Sequence, residues 1–152
     1  MKALRIVSVL CGALVFGLTF SHVLQAPGSR TMDGPAWLQV QHSFYGGFAV
    51  VGGVAETAGV IATTVLAVET RRRGASAWPA AVAAACLVGT LVAYLHGNRP
   101  VNLAVAQWTA STLPPNWQFY RDQWQTAHTL SAVLSAVALT LLLLTTTKGT
   151  RQ

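Results

Sequence analysis

The stretch Trp124–Thr147, WQTAHTLSAVLSAVALTLLLLTTT, decides what kind of chain this is. It carries no Asp, Glu, Lys or Arg. At 1.5 Å per residue it is long enough to cross a ~30 Å hydrocarbon core as one helix. Its polar residues are ordered. Arg121, Trp124, His128, Ser131 and Ser135 recur at spacings of three and four, which places them on one helical face. A polar stripe on such a helix turns towards protein or trapped water, because lipid offers it no partner.

Three further stretches match it: Ala3–Gln25, His42–Val68 and Ala77–Leu95. The chain is 53% hydrophobic and only 9% charged, against about 25% charged in soluble domains. The expectation is therefore an all-α integral membrane four-helix bundle, up-down-up-down, whose partner is the lipid bilayer. The predicted spans are about 4–25, 42–69, 77–97 and 122–147, with outer loops at 26–41 and 98–121. Four spans and their connections use up the 152 residues, so residues 1–152 read as a single transmembrane domain. Homo-oligomers are compatible with this reading.

The net charge of +6 is unevenly placed. Lys2, Arg5, Arg71, Arg72, Arg73, Lys148 and Arg151 fall on one side of alternating spans; Arg30, Arg99 and Arg121 fall on the other. The positive-inside rule puts both termini in the cytoplasm, and the setting expected is a bacterial cytoplasmic membrane. The Arg71–Arg73 run caps a span and lacks aromatic partners, so nucleic acid is not the expected partner. Lys2 and Arg5 before an apolar run also resemble a signal peptide. The length of that run, and Pro27 just after the only plausible cut at Ala26, favour a retained span.

Each span contributes one histidine near its outer end: His22, His42, His96 and His128. His42, Ala49, Glu56 and Thr63 are seven apart, with Tyr45 and Gly52 beside the same face. Glu56, about 20 Å from the outer end of its helix, is the only acid deep in a span. It is either a hydrogen-bonded packing group or a proton-handling one. Cys11 and Cys86 sit in different spans without a Cys-x-x-Cys pattern, as small buried residues do. The glycines of the second span suit close helix approach. The tryptophans near span ends suit an aromatic belt.

The run Pro100-Val101-Asn102, then Trp108, Pro115-x-Trp117, Arg121-x-x-Trp124 and His128 resembles the anthrone oxygenase-like family of small four-helix membrane proteins. Many members of that family are known only as a domain of unknown function. The segment His22–Pro27 resembles the end of that family's first helix, with Gln25 where several members carry an acid. The resemblance implies an oxidoreductase, a monooxygenase that oxidises an apolar polyketide-type or phenolic substrate with molecular oxygen and no cofactor. Under that implication His128 is the base, with His22 beside it in the catalytic set. Asn102, Arg99 or Arg121 would hold the enolate oxygen. Trp108, Trp117, Trp124 and Tyr45 would flank the rings. Two alternatives stand beside it. One is a non-catalytic membrane protein for transport, lipid binding or partnership. The other is a redox protein in which histidines ligate haem or a metal ion, although no protein metal site is predicted.

Overall fold

The computed structural model describes residues 1–147, with only the backbone described at Thr147. The basic positions Lys148 and Arg151 therefore lie outside the described residues. Every regular element described is helical: α1 (Lys2–Thr31), α2 (Gly34–Phe44), α3 (Gly46–Arg72), α4 (Trp78–Ala93), α5 (Arg99–Val105) and α6 (Trp117–Thr147). A π turn, Tyr94–Asn98, joins α4 to α5. Four helical stretches are long and apolar enough to cross a membrane: Lys2–Thr31, Gly46–Arg72, Trp78–Val105 and Trp117–Thr146.

The helices outrun the expected spans, mainly at the end where the sequence predicts long loops. α1 continues through Pro27 to Thr31. A proline removes one backbone donor, and only one turn remains beyond it to be disturbed. Most of the expected loop 26–41 is instead α2. Asp33 caps this helix, its Oδ1 accepting from the Ala36 N–H at 2.9 Å, and Pro35 sits in its first turn. The expected loop 98–121 holds α5 and the first turn of α6. At the opposite end the chain turns tightly after α3. There Gly74 takes φ 73°, a left-handed conformation that glycine adopts without strain.

α1 packs on α3 and α6, and α4 packs on the same two helices. Along α1, Cys11 approaches Gly59 and Leu18 approaches Gly52 of α3. Gly12 faces Leu142, Thr19 meets Ser135 at 3.2 Å, and the His22 carbonyl accepts from Gln125 at 2.9 Å. Numbering that rises along α1 thus falls along both neighbours.

Two cores result. One is aliphatic and built from short side chains: Val15, Ala55, Leu66, Ala80, Ala83, Leu87, Ala138 and Leu142. The other is mostly aromatic: Trp37, Leu38, Val101, Val105, Trp117 and Trp124. Ser8, Thr63 and Ser135 are wholly buried, while Leu10, Val54, Ile61 and Val133 are well exposed. Small and polar residues inside, with large apolar ones outside, is the pattern of helices that pack against each other in lipid.

Candidate functional site

The polar stripes of α3 and α6 face a common cavity of about 420 Å³, within the range of small-molecule sites. α1 brings His22, α3 brings Phe48 and Glu56, and α6 brings Trp124 and His128, while Tyr45 stands at the junction of α2 and α3. Asn98 ends the π turn and Asn102 lies on α5.

The centre of the arrangement is a pair of histidines. The rings of His22 and His128 stack with centroids 4.1 Å apart and planes 16° from parallel. Trp124 meets both edge-on, at 4.7 Å from His22 and 4.2 Å from His128. Tyr45 and Phe48 also approach His22, at 4.9 and 5.3 Å, and Tyr45 lies 5.2 Å from Trp124. His22 is only 4% exposed, and its Nδ1 is buried without a hydrogen-bond partner. Such an atom costs stability unless a ligand or water meets it.

The surroundings hold this pair in place. Trp124 Nε1 donates to Asn102 Oδ1 at 2.9 Å, and Asn98 Nδ2 donates to the Trp124 carbonyl at 2.9 Å. Asn102 therefore spends its oxygen on Trp124 and keeps its amide N–H groups for another acceptor. The Tyr45 hydroxyl donates to Gln25 Oε1 at 2.6 Å, so Gln25 orients the phenol from outside the cavity. The π turn makes the approach feasible. A Cβ at Gly97 would stand 2.4 Å from the Ala127 Cβ, so only glycine lets the turn reach α6 there. π turns inserted in helices often mark functional sites.

Of the residues singled out in the sequence, His22, Tyr45, Glu56, Asn102, Trp124 and His128 line the cavity. Arg99, Trp108, Trp117 and Arg121 do not. Arg99 is exposed. Trp108 packs edge-on against Tyr120 at 5.0 Å, and Trp117 tilts against Trp37 at 5.6 Å. The Arg121 guanidinium lies 5.2 Å from the Trp117 ring centre and pairs with Asp122 at 3.0 Å. It shares the helical face of His128 but stands nearly two turns away, where its long side chain bends onto its own helix end.

The other histidines diverge. His42 Nε2 lies 3.0 Å from the Val105 carbonyl at the cavity rim. His96 Nδ1 lies 3.0 Å from the Val92 carbonyl of its own helix, on an exposed face. Among the described residues no three His, Cys, Asp or Glu side chains come together as a metal-binding group. The His22–His128 pair does not fit an axial haem pair either, since axial ligands face each other across the iron and these rings lie flat against one another. Phe48 and Asn98 are cavity residues that the sequence reading misses. Phe48 follows Tyr45 by three, a helical spacing, and that is its only signal.

Comparison with protein-family models, curated proteins and solved structures finds no match to this chain.

Proposed function

We propose that the protein is a cofactor-independent oxygenase of a planar, apolar, polyketide-type or phenolic molecule, of the anthrone oxygenase kind. The observation that carries this reading is the stacked His22–His128 pair in a cavity walled by Trp124, Tyr45 and Phe48. An anthrone has a methylene flanked by aromatic rings and opposite a ring carbonyl. Loss of one proton gives a delocalised enolate that reduces oxygen directly. The net change, CH₂ + O₂ → C=O + H₂O, needs no other oxidant.

The chain supplies what that chemistry requires. His128 takes the proton, a role suited to imidazole, and His22 stacks on its ring and helps hold it in place. The Asn102 amide donates to the oxygen on which negative charge develops. Trp124, Tyr45 and Phe48 bind the rings. An apolar substrate partitions into the bilayer, which favours a site among membrane helices. The reading extends to topology. The spans run up-down-up-down with both termini and the Arg71–Arg73 run in the cytoplasm, as the positive-inside rule requires. The cavity then lies towards the outer face of a bacterial cytoplasmic membrane.

The test is oxygen uptake by protein purified in detergent, with 1,8-dihydroxyanthrone as substrate and the spontaneous rate subtracted. His128→Ala is expected to slow turnover about 10²-fold or more, the usual worth of a positioned base. Unchanged turnover in this variant, or no turnover by the unaltered protein across a panel of anthrones, defeats the reading. A Soret band in the purified protein would redirect it towards haem chemistry.

A further inference from the structure

We propose that the cavity also binds planar lipophilic cations, with Glu56 as the charge that receives them. Among the described residues the carboxyl is the one acidic group lining the cavity, and no Lys or Arg lines it. The titratable groups that share the cavity with it are His22, His42, Tyr45, Tyr94 and His128. Among the described residues the ion pairs are Arg72–Glu69 and Arg121–Asp122, and neither includes Glu56. Arg5, the basic residue furthest into α1, is ten positions from the cavity-lining Val15, about 15 Å along the helix.

Thr90 is a polar side chain beside Glu56. The Thr90 hydroxyl proton is already given to the Leu87 carbonyl at 2.7 Å, so Thr90 brings Glu56 neither positive charge nor a second proton. A carboxylate in such surroundings needs a counter-charge, because an unpaired ion out of water is expensive. Among the described residues no Lys or Arg side chain pairs with it, and a bound cation would.

The shape of the cavity sets the rest of the ligand. Phe48 and Glu56 are eight residues apart on α3, about 12 Å along the helix. Between them lies a glycine wall. A Cβ at Gly53 would meet nothing within 4 Å, and one at Gly52 would meet only Leu18, at 3.6 Å. Glycine here is not required by close helix contact, so its effect is to leave room in the cavity. An aromatic end, a smooth middle and a carboxyl end describe a slot for a flat ring system whose delocalised positive charge can be turned towards the carboxyl. Tyr45, Phe48 and Trp124 would stack on the ring body, with an added electrostatic gain for a delocalised cation.

Equilibrium dialysis of detergent-purified protein against 9-aminoacridine, cationic at pH 7, and against its uncharged analogue 9-methylanthracene tests this. The expected result is saturable binding of one 9-aminoacridine per chain, at least tenfold weaker in Glu56→Gln. 9-Methylanthracene should bind both proteins alike, which also shows that the variant keeps its folded cavity. Gly53→Phe should block both probes while leaving the carboxyl in place. Equal 9-aminoacridine binding by Glu56→Gln and the unaltered protein, no saturable binding by the unaltered protein, or full cation binding by Gly53→Phe would each overturn the proposal. None of these outcomes depends on oxygen uptake, so the proposal and the oxygenase reading stand or fall separately.

Discussion

The two ends of the bundle are held together by different means. At one end, helices meet through Ala80, Ala83, Ala138, Leu66, Leu87 and Leu142, all at most 1% exposed. At the other end, Trp37, Trp117 and Trp124 fill the space, and α1, α5, α6 and the π turn are tied by side-chain hydrogen bonds from Gln123, Gln125, Trp124 and Asn98. Small side chains pack closely at the first end. Large rings joined at fixed angles leave space beside them, and that space forms part of the cavity. The site thus follows from how each end packs, since aromatic walls frame a hole that alanine and leucine would have filled.

The largest effect should come where the two kinds of packing meet, at Gly97. Here the obstacle to any side chain is the Cβ of Ala127, fixed to the α6 backbone, rather than a side-chain tip that can swing away. Gly97→Ala must push the π turn off α6. The expected loss is about 3 kcal/mol, the upper part of the usual overpacking range. It should be read as a lowered unfolding midpoint in detergent, together with a weakened Asn98–Trp124 tie. Gly34 makes a useful contrast. A Cβ there would meet Leu113 Cδ2, the end of a flexible side chain, and Nε1 of the Trp117 ring at 2.9 Å; both are side-chain atoms beyond their own Cβ, unlike the Ala127 Cβ, so Gly34→Ala should cost less. Equal costs would mean that the π turn yields easily and does not set the cavity.

The aliphatic end should respond differently. Leu87 is fully buried in the packed core. Leu87→Ala leaves a cavity that its short neighbours cannot fill. In water such changes cost about 2–5 kcal/mol. The lower end, about 2 kcal/mol, is expected here, because lipid or detergent solvates the leucine once the helices separate and the hydrophobic driving force is small. Ligand binding at the other end should be preserved. If Leu87→Ala abolished binding in the aromatic cavity while the protein stayed folded, the two ends would not be independent.

This division also explains how far the sequence can be read. Hydropathy and length reveal the four membrane-length helices, because a hydrocarbon core imposes both. The stripe from Trp124 to Ser135 and the seven-residue repeat through Glu56 point to the cavity walls, since helical periodicity places residues on faces. What periodicity cannot show is where a long side chain goes once it leaves the helix. Arg121 shares the face of His128 yet turns onto Trp117. Trp108 and Trp117 look like ring-binding residues but pack against Tyr120 and Trp37. Nor does hydropathy distinguish a polar loop from an interfacial helix, so α2 reads as a connection; between the prolines the sequence admits a short interfacial helix over Val101–Ser111, where the structure has α5 at Arg99–Val105. The pairing of His22 with His128 needs two helices at a particular rotation and offset, and no local pattern encodes that.

The smallest effect should come from the ion pair at the start of α6. Arg121 is 12% exposed and Asp122 57% exposed, with 3.0 Å between Nε and Oδ1. Water reaches the carboxylate, so the pair gains little and loses side-chain entropy. The burial of Arg121 comes instead from its position over Trp117, where the guanidinium interacts with the ring face as well as covering it. Asp122→Asn should therefore change stability by less than about 0.5 kcal/mol, and the Thr126 hydroxyl keeps its bond to the Asp122 backbone carbonyl, which the substitution leaves in place. The measurement is the unfolding midpoint at low and high salt. A loss above about 1 kcal/mol that disappeared in high salt would show that charge, not ring packing, holds this corner. The aromatic end would then be partly an electrostatic structure, and its contrast with the aliphatic end would need to be redrawn around Arg121.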